Sequence, residues 1–379
     1  SVVGSAAIAA LLTARLAAHL PVDGSAPGAP GATAAPSPAT AGALPAELAG
    51  PYAGQVVNYL VTNDVSRLGV GQALYTCCCN AEGTILDDLI IYRAGDERFL
   101  VVASDTAHGH VRGLLDSEIT FGAPADGQGA RWRATSTDVT GAYAMFSLQG
   151  PRSRDVLSAA THAKVDGESL GFRDVVPVDL GLATGWCARI TYVGELGYEL
   201  YVPTEMAVQA WDHLTAAGES AGLRLVGLKA LGSLRLEKAY RDYGHDIDNS
   251  DGLLQVGLGF TAAIDKPGGF RGREAVLAAR ADGIPVSRLV QVLVTDPAAV
   301  LHHGELLLRD GEIVGDVRSG SYGWTLGGAV GLAYVEADVP VTPPWLADGT
   351  WEVDVAGVRH PAAVSLRPMY DPTNARVKG

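Results

Sequence analysis

From about residue 50 onward, the apolar positions follow two spacings that predict helices and strands in turn. In QVVNYLVTNDV, Val56, Val57 and Leu60 recur at helical spacing, and the polar Asn63 and Asp64 interrupt the pattern. The runs ALYTCCC and TILDDLIIYR are apolar and β-rich, and the NAEG between them is a turn signal. These two runs therefore predict a β-hairpin.

The later elements follow by the same reasoning. The predicted strands are FLVVAS, YAMFSLQGP and a pair within CARITYVGELGYELYVP, and the predicted helices are DTAHGHVRGLL, SRDVLSAA, MAVQAWDHLTAAG and a long LKALGSLRLEKAYRDYG. From about Ser287 the chain turns into short strands with glycine-rich turns, which is typical of a small β-barrel or sandwich. The fold class is therefore α+β with a β domain at the end.

The first 49 residues have a different character. SVVGSAAIAALLTARLAAHL has no basic start and its apolar run is short, so we interpret residues 1–20 as an amphipathic helix and not as a signal peptide. Residues 21–49 are rich in Ala, Pro and Gly and are expected to be a linker. The main body is then expected over 50–280, and the β domain over 285–379.

Charge and cysteine content narrow the function classes. The 379-residue chain carries a net charge of −14, which argues against a nucleic-acid partner because a phosphate backbone needs clustered Lys and Arg. The sequence has no apolar stretch of membrane-spanning length. Four cysteines in a chain of this size do not form a disulfide framework, which favours a reducing, cytoplasmic location.

The three consecutive cysteines raise the question of a metal site. In a strand, Cys77 and Cys79 share one face and Cys78 lies on the other, and no second Cys or His pair follows at a matching distance. We therefore expect no metal, and interpret the thiols as small core residues of a buried strand.

Adjacent aspartates inside an apolar strand are unusual. Alternation sends Asp87 and Asp88 to opposite faces, so one of them is directed toward a cavity where a partly desolvated carboxylate can hold or relay a proton. The alternative is one solvated turn residue and one satisfied buried acid. Further along, VGELGYELY interleaves Glu195 and Glu199 with tyrosines. This pattern suits a flat, nitrogen-rich heterocycle, but it also fits an amphipathic strand pair.

Two other charged motifs carry less information. SLRLEKAYRDYGHDID (233–248) places Arg235, Glu237, Lys238 and Arg241 at helical spacings that indicate ordinary surface ion pairs. GGFRGRE (268–274) has the glycines of a phosphate loop but lacks a Lys-Ser ending, so it is a weak nucleotide motif.

Taken in order, several motifs resemble those of the folate-dependent aminomethyltransferase family. That family comprises the T-protein of the glycine cleavage system and the tetrahydrofolate domains of dimethylglycine and sarcosine dehydrogenases. The motifs are TNDVSRLGVGQALYT, ILDDLIIY, FSLQGPRSRDVL, YVGELGYELYVP, SLRLEKAYRDYGHDID, FRGREAV and RPMYDP, and they cover about residues 50–379. YVGELGYEL and RPMYDP look closer to the amine-dehydrogenase branch than to the T-protein.

The resemblance implies a fold, a cofactor and a site. It implies a three-domain cloverleaf around a central channel that binds tetrahydrofolate, and a one-carbon transferase that acts on a small amine or methylated metabolite. Asp88 would be the key acid–base residue. The implied folate-binding residues are Tyr75, Tyr192, Glu199 and Tyr240. A separate flavoprotein oxidase would carry out any oxidation, because the sequence contains no flavin domain.

The chain also departs from the family pattern. Ala103 stands where an asparagine is usual, Leu231 replaces an arginine, and the family's FDVSHMG-type N-terminal strand is missing. Two alternatives therefore stay open. In one, the same fold catalyses a folate-independent reaction. In the other, the chain is a non-catalytic partner subunit of a flavoprotein amine oxidase.

Overall fold

A computed structural model describes residues 8–12, 44–104, 107–122 and 132–378. The strands are β1 (Ile8–Leu12), β2 (Leu44–Ala49), β3 (Gln72–Cys79), β4 (Ile85–Gly95), β5 (Arg98–Ala103), β6 (Thr135–Asp138), β7 (Tyr143–Gln149), β8 (Val175–Leu180), β9 (Ala183–Ala188), β10 (Gly197–Pro203), β11 (Arg224–Leu225), β12 (Ser287–Val294), β13 (Leu306–Arg309), β14 (Glu312–Gly323), β15 (Gly328–Glu336), β16 (Trp351–Val355) and β17 (Val358–Ser365). The α-helices are α1 (Ala53–Leu60), α2 (His108–Phe121), α3 (Ser153–Ala160), α4 (Ala207–Gly218), α5 (Leu228–Glu237), α6 (Arg273–Ala281), α7 (Pro343–Ala347) and α8 (Ala375–Lys378).

Two sheets and a barrel organise these elements. One sheet has the strand order β3-β4-β5-β2-β6, and a second has the order β11-β1-β7-β10-β9-β8. The remaining strands form the closed barrel β12-β15-β14-β13-β16-β17. The expected α+β fold with a C-terminal β domain is therefore confirmed, and that domain is a closed six-stranded barrel.

The two sheets pack face to face between layers of helices. One face of the five-stranded sheet is covered by α1 and α2, where Val56, Val57 and Leu60 pack against β4 and β5. The outer face of the six-stranded sheet is covered in the same way by α3 and α4. Between the sheets lies a separate cluster that includes Tyr92 from β4 and Tyr201 from β10. The β3–β4 hairpin is thus sandwiched in the protein interior.

The barrel packs beside the end of the hairpin. A shared apolar cluster joins Cys77 and Cys79 of β3 to Leu289 and Val330 of the barrel and to Leu236 of α5. Gln291 on β12 strengthens this junction, because its Nε2 donates to the main-chain oxygens of Leu236 (2.7 Å) and Glu237 (2.9 Å). The hairpin, α5 and the barrel therefore meet at one place.

Two expectations about the N-terminal 49 residues are wrong within the described part of the chain. Ile8–Leu12 is a strand and not part of a helix, because its backbone pairs antiparallel with β7 and parallel with β11. Leu44–Ala49 belongs to β2 and not to a linker, because it pairs with β5 and β6. The rest of the predicted helix over 1–20, and residues 21–43 of the predicted linker, lie outside the described residues.

The long helix predicted over LKALGSLRLEKAYRDYG is also shorter than expected. Helix α5 ends at Glu237, and Ala239 adopts a positive φ of 53° that no helix accommodates. The Arg235 guanidinium donates to the Tyr240 main-chain oxygen (3.0 Å), which fixes the turn after the helix. In the described residues, no helix is long and apolar enough to cross a membrane.

Candidate active site

The β3–β4 hairpin directs the two aspartates to opposite faces, as predicted. Asp88 lies opposite Cys77 in the antiparallel register, and Tyr75 lies opposite Ile90. On β4, Leu89 packs into the cluster beneath α1, whereas Ile90 packs into the cluster between the sheets. Strand alternation therefore places Asp88 on the inter-sheet face and Asp87 on the helix-covered face.

Asp88 and Tyr75 form a direct hydrogen bond. The Tyr75 hydroxyl donates to Asp88 Oδ2 over 2.8 Å. Burial raises the pKa of Asp88 to about 6, with a further upward effect from the charges of Asp242 and Asp246, and the Tyr75 hydrogen bond opposes the rise. A carboxyl group with a pKa near 6 can both hold and release a proton near neutral pH.

Asp87 has a different environment. It is fully buried, and the Ser104 N–H (3.1 Å) and Oγ (2.7 Å) donate to its two oxygens. Burial, followed by the charge of Asp88, raises the pKa of Asp87 to about 8. Since Asp87 is enclosed beneath the helices, Asp88 is the aspartate that a ligand between the sheets can reach.

An exposed phenylalanine flanks the Tyr75–Asp88 pair. The Phe260 ring stacks on Tyr75, with centroids 6.4 Å apart and planes inclined by 26°, and it is 73% exposed. A large aromatic side chain left in solvent beside a carboxylate offers a surface on which a flat ligand can stack. Phe260 was not predicted from the sequence, and no local signal marked it, since it lies 185 residues after Tyr75 in the chain.

Tyr192 and Tyr240 form a second aromatic pair. Their rings are nearly parallel, with centroids 6.1 Å apart and an interplanar angle of 9°. The Tyr192 hydroxyl donates to the Arg241 main-chain oxygen over 2.7 Å. The pKa of Tyr192 is raised mainly by burial, and the charge of Asp88 adds to the rise. The structure thus brings Tyr75, Asp88, Tyr192 and Tyr240 into one region.

Glu199 lies on the same inter-sheet face, but in the described residues no hydrogen bond joins it to Asp88. Its Oε2 accepts hydrogen bonds from Tyr201 (2.7 Å) and Tyr92 (3.1 Å). Burial raises the pKa of Glu199, and the two tyrosine hydrogen bonds oppose the rise. Tyr92 follows Asp88 by four positions on β4, which spans roughly 13 Å along a strand. The two carboxylates therefore lie toward opposite ends of an elongated region.

The cysteines are core residues, as predicted. All four are free and buried, with Cys77, Cys78 and Cys79 no more than 3% exposed. Burial raises the pKa of Cys79 to about 12, so this thiol stays protonated and is not a reactive thiolate.

The surface ion pairs predicted for SLRLEKAYRDYGHDID are wrong. Arg235, Glu237 and Lys238 are at most 6% exposed. Arg235 pairs with the buried Asp246, and Lys238 pairs with Asp371 over 3.1 Å. Glu237 Oε1 accepts from the N–H groups of Thr325 (2.7 Å) and Leu326 (2.8 Å). These charges join α5 to the barrel and to the C-terminal residues, which helical spacing alone does not reveal.

The other glutamate of VGELGYELY holds the C-terminal residues. Glu195 accepts a hydrogen bond from the Tyr370 hydroxyl, and Arg376 lies 3.5 Å from it. Gly194 precedes it with φ +74°, and a Cβ there would come within 2.8 Å of the Lys238 side chain. The turn that carries Tyr192 is therefore packed directly against the α5–tail junction.

The glycine-rich GGFRGRE motif lines a cavity of about 800 Å³ at the start of α6. Gly272 has φ +84°, and a Cβ there would lie 2.2 Å from the Asn80 main-chain oxygen, so only glycine fits. Tyr75, Asp88, Tyr192, Glu199 and Tyr240 do not line this cavity. It is therefore separate from the candidate active site.

Two family models match the chain. The model of the GCVT N-terminal domain matches residues 44–266, and the model of the glycine cleavage T-protein C-terminal barrel domain matches residues 288–371. Among solved structures, the glycine cleavage system aminomethyltransferase T of Bartonella henselae superposes with a TM-score of 0.72 at 25% identity, covering 87% of this chain and 84% of that one.

Curated relatives fall into two groups. An aminomethyltransferase of Streptomyces avermitilis is 35% identical over 85% of this chain and 82% of its own length. A formaldehyde-forming 4-methylaminobutanoate oxidase of Paenarthrobacter nicotinovorans is 38% identical over 88% of this chain, and the mitochondrial sarcosine dehydrogenase of Mus musculus is 30% identical over 88%. The chain spans only 38% and 37% of the length of those two proteins. Both family models match this chain in the same order, and together they cover most of it. The chain therefore belongs to the glycine cleavage T-protein family of aminomethyltransferases, a family of one-carbon transferases.

Proposed function

We propose that this protein is a tetrahydrofolate-dependent one-carbon transferase in which Asp88 is the acid–base residue. The observation that carries the proposal is the Tyr75–Asp88 hydrogen bond of 2.8 Å beside the exposed ring of Phe260. This arrangement joins a titratable carboxylate to an aromatic surface. It supports a reaction in which a proton moves at a nitrogen atom of a flat, aromatic ligand.

The residues fit a pterin-type group at the other end of the region. Both tyrosine hydroxyls donate to Oε2 of Glu199, and no hydrogen bond among the described residues reaches Oε1. That oxygen is left to accept from the ring N–H and amino groups of a nitrogen-rich heterocycle. Tyr75, Tyr192 and Tyr240 supply the aromatic contacts for the rest of the ligand.

The chain's own residues then have distinct roles. When bound, tetrahydrofolate supplies the weakly basic N5 and N10 amines that take up a one-carbon unit. Glu199, held by Tyr92 and Tyr201, orients the ligand from one end. Asp88 accepts or returns a proton at the other end and stabilises developing positive charge, while Tyr75 holds its carboxylate in place.

The substrate we propose is a small amine or a methylated metabolite. The motif likeness to the amine-dehydrogenase branch supports this choice, together with the identity of 38% to a formaldehyde-forming methylamino acid oxidase. Because relatives of this chain include a methylamino acid oxidase and a sarcosine dehydrogenase, we infer that a flavoprotein oxidase works with it. The oxidase would generate the one-carbon unit, and this protein would transfer it.

Calorimetric titration with tetrahydrofolate under anaerobic conditions tests the proposal. The wild-type protein is expected to bind in the micromolar range. Glu199→Gln keeps the shape of the side chain but removes the charge, and we expect at least tenfold weaker binding because the hydrogen bond to a charged acceptor is lost.

Glu205→Gln is the matched control, since Glu205 lies in the short helical turn after β10 and is exposed. It should bind like the wild type. Absence of binding by the wild-type protein would overturn the folate assignment and favour a folate-independent reaction on the same fold.

A further inference from the structure

The cavity beside the glycine-rich GGFRGRE motif takes no part in the proposed reaction. Its volume of about 800 Å³ is typical of a small-molecule site. Tyr59 of α1, Ala81 of the β3–β4 turn and residues of the segment 264–274 line it. We call this space the α6 cavity, because it lies at the start of helix α6.

The α6 cavity is lined by a cation that has no partner. The main-chain N–H of Arg271 donates to the Tyr59 main-chain oxygen over 3.1 Å, which holds Arg271 at the cavity wall. Its guanidinium is partly accessible and forms no hydrogen bond or ion pair in the described part of the chain. Two carboxylates also line the cavity, but Glu274 pairs with Arg273 over 2.7 Å and Asp265 forms no ion pair with a described residue. The donors of Arg271 are therefore open to a ligand.

A second cation at the cavity wall is buried without a counter-charge in contact. Lys266 is 4% exposed, and its Nζ donates to three main-chain oxygens, one of them that of Asn63 at 2.7 Å. Burial lowers the pKa of Lys266 to about 7, and the charge of Asp64 opposes this effect only in part, since Asp64 itself pairs with Arg67 over 3.0 Å. An anion in the adjacent cavity would stabilise this ammonium group electrostatically.

The first turn of α6 adds main-chain donors. Gly272 occupies the N-cap position with φ +84°, and no side chain caps the helix. The Arg273 N–H donates to the Phe270 oxygen over 3.1 Å, but the N–H groups of Glu274 and Ala275 have no acceptor among the described residues. Free N–H groups at the start of a helix favour an anion. They lie beside the two cations, so all three features favour the same kind of ligand.

We propose that the α6 cavity binds a phosphate group, carried either by the free ion or by a small phosphate ester. Arg271 supplies charge-assisted hydrogen bonds, and the first turn of α6 supplies main-chain donors. The buried Lys266 adds positive charge behind them. A phosphate group fills only part of about 800 Å³, and the Tyr59 ring, 38% exposed, offers a surface for the organic part of an ester.

Calorimetric titration of the full chain with sodium phosphate and with adenosine monophosphate, at constant ionic strength, tests the proposal. We expect saturable binding, since both probes carry the phosphate group. Tighter binding of adenosine monophosphate would identify a phosphate ester as the ligand, and equal or tighter binding of phosphate would identify the free ion.

Two variants locate the binding. Arg271→Gln removes the unpaired charge and should weaken the affinity at least tenfold. Ala81→Glu places a carboxylate at the cavity from an exposed turn position and should abolish binding through repulsion. Neither change removes a side-chain hydrogen bond or ion pair of the described residues, so the Tm of both variants in sodium chloride should match that of the wild type.

Arg152→Gln is the matched control. Arg152 also lies at the start of a helix, α3, but it pairs on the surface with Asp155 over 3.3 Å and does not line the α6 cavity. It should bind both probes like the wild type. No saturable binding of either probe, or equal binding by Arg271→Gln and the wild type, would overturn the proposal. Tetrahydrofolate affinity should be unchanged in Arg271→Gln, so failure here is distinguishable from failure of the folate assignment.

Discussion

Asp88 is the residue to which we assign the acid–base chemistry of the proposed reaction. Its pKa of about 6 results from burial, which outweighs the hydrogen bond from Tyr75. A general base must be ionised to accept a proton, so the transfer rate should rise with pH up to about 6 and then level off. This pH dependence distinguishes an acid–base role from a purely structural one.

Asp88→Asn should lower the rate by about 10²-fold and remove the pH dependence, because the amide cannot accept the proton. The measurement is the formation of the one-carbon folate, resolved by chromatography, between pH 5 and 8. Asp96→Asn is the control, since Asp96 lies in the turn between β4 and β5 and its side chain is 91% exposed. A D88N profile that still rises through pH 6 would assign the titration to another group.

At the scale of elements, the C-terminal residues 366–378 connect the barrel to the site. Met369 N–H donates to Gln291 Oε1 on the barrel (2.7 Å), and Tyr370 reaches Glu195 in the turn that carries Tyr192. Asp371 pairs with Lys238, which has no exposed surface. Since a buried amine needs its counter-charge, this ion pair anchors the tail on α5.

Asp371→Asn should therefore destabilise the fold by about 3 kcal/mol, because the buried Lys238 ammonium loses its counter-charge and keeps only the Asp371 main-chain oxygen as a hydrogen-bond acceptor. Asn retains the short polar side chain that accepts from Ala375 N–H, so the change mainly removes charge. The measurement is urea unfolding. Asp348→Asn, at an exposed position after α7, should change stability by less than about 0.5 kcal/mol.

A double variant sharpens this test. Lys238→Met combined with Asp371→Asn removes both charges, and the double variant should lose less stability than the sum of the two single losses. Additive losses would show that the pair contributes no coupling energy, and would contradict the anchoring role.

Local sequence patterns predicted many of the helices and strands, but they failed where contacts with distant segments of the chain determine the structure. The hairpin and the opposite orientation of its two aspartates follow from alternation and a turn signal, whereas the choice of Asp88 over Asp87 came from the family resemblance. Strand β1 could not be predicted, because its partners Phe146–Gln149 and Arg224–Leu225 lie far along the chain. Helix α5 ends before a positive φ at Ala239, without the glycine or proline that usually announces an end.

The site shows the same division. Tyr75 and Asp88 come from one hairpin and their contact follows from its register. Phe260 meets Tyr75 only because the segment before α6 folds back over the hairpin. The burial of Lys238 likewise depends on Asp371, 133 residues away. Contacts of this kind require the tertiary structure.

At the scale of the whole molecule, acidic groups dominate the response to pH. Burial raises the pKa of Asp87 to about 8 and that of Asp88 to about 6, against about 3.9 in an unfolded chain. Between pH 5 and 7 the folded protein therefore binds more protons than the unfolded chain. Under linkage, stability then falls as pH rises through this window. The net charge of −14 adds self-repulsion in the same direction.

We expect the free energy of unfolding to be larger at pH 5 than at pH 7, by about 2 kcal/mol. The prediction is limited to pH 7 and below because burial lowers the pKa of Lys266 to about 7. Above that pH the folded protein loses the Lys266 proton while the unfolded chain keeps it, which makes stability rise with pH. Asp87→Asn keeps an acceptor for Ser104 and removes the largest shift, so it should flatten the dependence. Asp96→Asn should leave it unchanged. Urea unfolding at pH 5, 6 and 7 measures how the free energy of unfolding changes with pH for all three proteins. A wild-type stability that rises with pH would contradict the prediction, because it would show that the two aspartates ionise in the folded state as freely as in the unfolded chain.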